Sequence, residues 1–258
     1  MQIMVYTPSM QGSGSFNGGK ITEQKPIGFS GEGSVVKRIG PLFYWAWAFS
    51  PEEGHIGSHP HKAFEIMTYV VQGQAEHGDS LGTRSVVGPG GAQVMQTGSG
   101  VSHQEHFIGP DMEAFQIWFE PELEAALLRQ PTYRQYEHED FPVREGDGFR
   151  FKTVIGADSP IEIVADAKVW DLEVDPGGSF TYTVPAGRTL AALAIRGGGT
   201  WEHAGSPQPL TAFRHRDFMV MRADSASEVK LHAPEGETLR ILGIEVPSSV
   251  DYPLYPKR

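Results

Sequence analysis

His59-Pro60-His61-Lys62-Ala63-Phe64-Glu65-Ile66-Met67-Thr68-Tyr69-Val70-Val71 sets two imidazoles two residues apart just ahead of an apolar, β-rich run. Side chains at i and i+2 of a strand share a face, so both histidines can point into one interior. Further on, His103-Gln104-Glu105 repeats the spacing with one imidazole and one carboxylate. If these two segments lie on neighbouring strands, three nitrogen donors and one oxygen donor converge. That set suits a borderline divalent ion: iron(II) first, with manganese, cobalt, nickel, copper and zinc compatible. Octahedral iron would keep two positions for water, substrate or dioxygen. A lone H-x-H pair is more often surface polarity than a ligand pair; a second pair shifts the balance toward a metal.

Working outward, the rest of the chain reads as β. Its 31 glycines and 19 prolines in 258 residues are dispersed, as expected for many short strands joined by turns. Ile66-Met67-Thr68-Tyr69-Val70-Val71, Phe115-Gln116-Ile117-Trp118-Phe119, Leu190-Ala191-Ala192-Leu193-Ala194-Ile195 and Phe218-Met219-Val220-Met221 suit buried strands. The clearest helix runs from Pro121 to Gln130, with proline at the first turn and Pro131 stopping it. The charged, tyrosine-rich stretch from Tyr133 to Asp140 reads as a connector. The segment from Pro60 to His77 is echoed by that from Pro185 to His203, an offset of about 125 residues that points to a duplicated barrel-sized unit. The division expected is 1–135, metal-binding, and 136–258. The offset aligns His59 and His61 with Val184 and Ala186, which offer no side-chain ligand, and His203, His215 and His232 lack paired spacing. The second unit is therefore expected to be metal-free.

Composition narrows the function. With no cysteine, thiolate metal sites, iron–sulfur ligation, disulfides and a cysteine nucleophile are excluded. A formal charge of −11 without a basic stripe argues against nucleic acid as a direct partner. No apolar run is long enough to span a bilayer, and the start lacks a basic-then-apolar leader, so a cytoplasmic location without membrane contact is expected. Among other candidates, His55 and Glu65 share the parity of His59 and His61, and Glu65 is the one expected to fix an imidazole tautomer or substitute as a ligand. His77 and His106 are expected on the polar surface or behind the ligands. Gly78-Asp79-Ser80-Leu81-Gly82 satisfies G-x-S-x-G, yet a strand-like rather than helical segment follows, so a hairpin turn is the better reading. Gly88-Pro89-Gly90-Gly91 and Gly197-Gly198-Gly199 read as turns and not phosphate loops. Glu137-His138-Glu139-Asp140 reads as solvated charge. Gln93, Met95, Gln116 and Trp118 alternate near the proposed metal, as cavity lining or barrel core.

Taken with its surroundings, the segment from Gly57 to Val70 closely resembles the pirin family of the cupin superfamily. Glu76-His77-Gly78-Asp79-Ser80-Leu81-Gly82, Gly88-Pro89-Gly90 and the stretch from Gln93 to Glu105 are similar to that family's successive signatures, in order. The resemblance covers roughly residues 55–120 and is only general elsewhere. It implies an all-β monomer of two cupin (double-stranded β-helix, jelly-roll) barrels with a short helix after the first. It also implies one iron held by His59, His61, His103 and Glu105, the four that strand parity selects, and places Glu65 behind the ligands. Family members are associated with quercetin 2,3-dioxygenase activity, so the resemblance implies a flavonol-like aromatic substrate and dioxygen, with Glu105 as ligand and base. Eukaryotic members are instead described as redox-sensing transcriptional co-regulators, which would imply a regulatory protein partner.

Overall fold

Strand-forming runs punctuated by glycine and proline become twenty strands in a computed structural model that describes residues 1–204 and 210–257. In chain order these begin with β1 Gln2–Tyr6, β2 Gly12–Phe16, β3 Ile21–Ile27, β4 Leu42–Ser50, β5 Gly54–His61, β6 Glu65–Asp79, β7 Arg84–Val87, β8 Ala92–Gln96 and β9 Val101–Phe119. Helix α1 Leu123–Leu127 and β10 Thr132–Tyr136 follow. The second run comprises β11 Val143–Gly146, β12 Phe149–Ile155, β13 Lys168–Val174, β14 Ser179–Val184, β15 Arg188–Arg196, β16 Gly199–His203, β17 Thr211–Phe213, β18 Phe218–Ala223, β19 Ser227–His232 and β20 Leu239–Pro247. The fold is all-β, with two jelly-roll barrels of the cupin type and one short helix after the first. All four strand runs expected from the sequence lie within β6, β9, β15 and β18.

The chain divides into two compact units, and neither is a continuous stretch. The unit that carries the candidate metal site is Gln11–Asp140 with Pro160–Ala165 and Val250–Arg258; the other is Phe141–Ser159 and Asp166–Ser249 with Met1–Met10. This differs at both ends from a cut after residue 135. Strand β1 pairs antiparallel with β18, Ile3 opposite Met221, and so completes the second unit's seven-stranded sheet in the order β1-β18-β15-β20-β13-β12-β11. Such long-range pairing leaves no local trace in a sequence.

In the first unit the sheet order is β10-β8-β6-β9-β4-β3-β2, with β5 added on β9 and β7 on β6. Residues 133–136, expected to be connector, belong to β10 because Tyr133 and its neighbours pair with β8. The helix is shorter than the span from Pro121 to Gln130. Glu122 caps its start by accepting from the amides of Glu124 and Ala125, and beyond its end the carbonyl of Arg129 is taken by the amide of Ser99, at 2.8 Å. Gly98, at φ +47°, makes that approach possible: a Cβ there would lie 2.4 Å from the Arg129 carbonyl oxygen. The Gly78–Gly82 segment is a turn between the paired strands β6 and β7, with Asp79 Oδ1 accepting the amides of Leu81 and Thr83. Among the described residues no helix is long and apolar enough to cross a membrane.

Candidate metal centre

Strand β9 carries the site because its burial alternates: Val101, His103, Glu105 and Phe107 are buried, while the residues between them are partly exposed. On one side it pairs with β5, where His59 lies opposite His103. A register shift between Ile56 and His59 restores the parity that lets Ile56 pair with Glu105 and His59 with His103. On the other side β6 sets His77 opposite Glu105 and Asp79 opposite His103.

The alternation brings three imidazoles together. The facing ligand atoms of His59, His61 and His103 lie within 4.8 Å of one another. His59 Nε2 and His103 Nε2 are 3.0 Å apart, and His59 Nδ1 is 2.8 Å from the Gly57 carbonyl oxygen, which accepts its hydrogen and frees Nε2 to ligate. His61 Nε2 and His103 Nδ1 are buried without a hydrogen-bond partner among the described residues. Burial, and then the neighbouring imidazoles, push His61 and His103 down to about 3, so both are neutral at physiological pH. Neutral His61 and His103 rings, each with a buried unpartnered nitrogen, in a group whose ligand atoms lie this close together fit a shared divalent cation.

Glu105 is 1% exposed and is not part of the three-imidazole group. Its Oε1 accepts from Thr68 Oγ1 at 3.2 Å and its Oε2 from Gln116 Nε2 at 2.8 Å; Gln116 Oε1 in turn accepts from Trp118 Nε1 at 3.2 Å. Burial raises the pKa of Glu105, opposed by the nearby His59 and His77 and by those two donors. Trp118 also stands edge-on to His61 at 4.7 Å between ring centres.

The remaining candidates separate cleanly. Glu65 is buried but serves no imidazole: its carboxylate takes Gln96 Nε2 and the amides of Val164 and Ala165, which corrects the expectation of a tautomer-fixing or substitute ligand. Parity put it inward, but backbone amides saturate it. His77 is not on the surface. It is buried, bonds Asp79 Oδ2 at 2.9 Å, stacks on Tyr133 at 4.2 Å and lies 5.5 Å from the His103 ring, because β6 runs straight through Gly73 as a bulged strand. His55 is exposed, and His106 lies on the outer face beside Glu76 and Glu53. Of the alternating quartet, Gln116 and Trp118 reach the site, Met95 is core and Gln93 accepts from Tyr133. Thr68 escaped notice in the sequence; its one available signal is a lone hydroxyl inside an otherwise apolar run. An open cleft of about 510 Å³ reaches His61, walled by Pro60, Lys62, Ser80, Val101 and Ser102.

Two β-barrels, the first with three histidines on adjacent strands that could hold a metal ion, define a protein of the cupin type. The model of the pirin family matches residues 46–119, the strands that build this centre. A Pseudomonas aeruginosa relative, named for a proposed quercetin 2,3-dioxygenase activity, is 30% identical over 198 residues, covering 72% of this chain and 67% of its own length. The chain belongs to the pirin family. A quercetin 2,3-dioxygenase of Escherichia coli K12 is 28% identical over 182 residues, 68% of this chain and 74% of that one. Matches to several other relatives span only 54% to 60% of their length. In structure, the bacterial pirin YhhW of Escherichia coli, solved in complex with nickel(II), superposes with a TM-score of 0.77 at 21% identity, covering 96% of this chain and all of that one.

Proposed function

We propose that this protein holds one divalent metal, iron(II) in the first instance, through His59, His61, His103 and Glu105, and opens flavonol rings with dioxygen as a quercetin 2,3-dioxygenase. The observation that carries this reading is the coincidence of two features: three imidazoles whose ligand atoms converge, and a cleft that reaches one of them. Its volume, about 510 Å³, lies within the roughly 300–1,000 Å³ typical of small-molecule sites. That favours turnover of a small substrate over a purely regulatory role with a protein partner.

When bound, the metal supplies Lewis acidity toward the substrate hydroxyl and a route for electrons to dioxygen. The chain's own residues do the rest. Gly57 fixes the tautomer of His59, and Thr68 and Gln116 hold the Glu105 carboxylate in one orientation. A buried carboxylate whose pKa is raised binds a proton more readily than a solvated one, which suits Glu105 to receive the flavonol hydroxyl proton. Trp118, itself backed by Tyr44 at 5.1 Å, supplies a flat apolar ring beside His61.

The test is anaerobic reconstitution of the metal-stripped protein with iron(II), followed by quercetin and air, measuring carbon monoxide and loss of the flavonol. Metal-dependent carbon monoxide, absent from His59→Ala, is the expected result. One bound metal per chain with no carbon monoxide would overturn the dioxygenase reading in favour of the regulatory one.

A further inference from the structure

The three imidazoles are not held in the same way. His59 has the Gly57 carbonyl behind Nδ1, whereas His61 Nε2 is buried and unpartnered, no hydrogen bond among the described residues ties His61 Nδ1, and the ring stands edge-on against Trp118. Metal-binding histidines ordinarily have their second nitrogen tied to an acceptor. For His61 some other device has to hold the ring.

That device leads to the C-terminal segment. Phe64 packs on Trp118 at 5.2 Å, and Tyr255 packs on Phe64 at 5.0 Å, so ring contacts run from Tyr255 to His61 in three steps. A second route runs along the backbone. Ala63, two residues beyond His61, sits at φ +70°, a left-handed conformation that a residue with a Cβ holds only when its surroundings fix it. Its amide donates to the Gly98 carbonyl at 2.8 Å, and its carbonyl accepts from the Tyr255 hydroxyl at 3.3 Å.

Tyr255 is itself tied down. Its amide donates to Glu120 Oε2 at 3.0 Å, its carbonyl accepts from Arg38 Nη2 at 2.5 Å, and Arg38 Nε pairs with Glu120 Oε1 at 2.8 Å. Two residues on, the Lys257 ammonium donates to the carbonyls of Lys37 and Phe43 and lies 4.6 Å from the centre of the Phe43 ring. All of these residues belong to the unit that carries the candidate metal site.

We propose that Tyr255 is a positioning residue for the metal centre, holding the turn at Ala63 and the Phe64–Trp118 stack so that the His61 imidazole stays turned toward His59 and His103. It touches neither metal nor substrate and acts through His61. The assignment rests on the reading of His59, His61 and His103 as ligands, and the experiment separates the two.

The full chain, stripped of metal, is titrated with cobalt(II) alone, read by its visible d–d spectrum and by competition with a chromogenic chelator. His61→Ala, Tyr255→Phe, Tyr255→Leu and Trp201→Phe are compared with wild type, and the melting temperature of each metal-free form is recorded. Tyr255→Leu keeps apolar volume but loses the hydroxyl and the ring. It is expected to weaken cobalt(II) binding about tenfold, in the range found when the groups supporting a metal ligand are removed, and to alter the d–d bands. Tyr255→Phe should shift both in the same direction by a smaller factor. Trp201→Phe, in the other unit, should change melting alone. A wild-type affinity and spectrum in Tyr255→Leu, whatever its melting temperature, overturns the proposal. Should that variant fail to fold, Tyr255→Phe decides: a shifted spectrum sustains the assignment and an unshifted one overturns it. If His61→Ala binds cobalt(II) as wild type does, the metal centre itself has been misread, a different failure from an inert Tyr255.

Discussion

The two barrels use one architecture for opposite interiors. In the first, the buried face of β9 carries His103 and Glu105, and β6 adds Thr68, His77 and Asp79. In the second, Trp170, Leu172, Phe180, Leu190, Trp201, Met219, Met221, Leu231 and Ile241 fill the corresponding space with apolar volume. Every residue from Thr189 to Ile195 on β15 is buried, so that strand has no face left over for polar work. The second barrel's buried carboxylates, Glu245 and Asp171, are instead paired with Arg188, Lys168 and Arg240 and stand outside that apolar cluster. The buried polar groups of the first barrel carry desolvation costs that packing alone does not require. Such a cost is retained where a site needs it.

The strongest way to break this contrast is to remove a ligand. His103 is central, 2% exposed and flanked by both β5 and β6. Structural metal sites contribute about 10–16 kcal/mol over their ligands together, so losing one of four donors should cost about 3–4 kcal/mol of binding, or several hundredfold. Isothermal titration with a divalent metal should give one equivalent for wild type and none for His103→Ala. A second equivalent that survives this substitution would place a site elsewhere and end the division of labour between the barrels.

Comparable in size is Trp201→Ala in the second barrel. Its side chain is fully buried, and removing a tryptophan from such a core typically costs about 3–5 kcal/mol. Chemical denaturation should register that loss while metal affinity stays at the wild-type value. A parallel loss of metal affinity would mean that the two interiors are energetically one.

A buried charge sharpens the contrast further. Glu120, in the first unit, is pushed up to about 7 by burial, against the pull of the Tyr255 amide, Arg38 and Lys257. With the unfolded value near 4.5, the unfolded chain ionises first as pH rises, while the folded chain keeps its proton. Wild type should therefore lose stability relative to Glu120→Gln between about pH 4.5 and 7, by on the order of 2 kcal/mol, and the difference should level off above that. Denaturant midpoints of the two proteins at pH 5 and 7.5 check it; a constant difference would show that Arg38 neutralises the carboxylate fully.

How much of this was legible depended on range. The convergence of His59, His61 and His103 was readable because a strand's period of two is local and needs only the neighbouring residues. The same rule misled at Glu65, whose parity is right but whose partners, the Val164 and Ala165 amides, lie about a hundred residues away in sequence. Of the two places expected for His77, the structure takes the one behind the ligands, because Gly73, at φ +74°, lies within β6 and carries the strand on to His77. The pairing of β1 with β18 and the docking of Tyr255 under Ala63 join distant ends of the chain, and no periodicity encodes either.

The smallest expected effect bears most directly on why the first interior is polar. Thr68 and Gln116 pair across β6 and β9, and together they present both donors that Glu105 receives from side chains. Thr68→Val keeps the shape and removes the longer of the two bonds, leaving Oε1 of a buried carboxylate with one partner fewer; a loss of about 1 kcal/mol is expected. Thr189→Val is the matched change in the second barrel, where a 3% exposed threonine exchanges a 2.7 Å hydrogen bond with Ser248. Both should lower the melting temperature by a few degrees. Only Thr68→Val should also change metal affinity, by less than tenfold, because only its hydroxyl orients a candidate ligand. Equal melting losses with metal affinity untouched in both would show that Thr68 does no more than satisfy a buried carboxylate. The polarity of the first interior would then have to be explained by the three imidazoles alone.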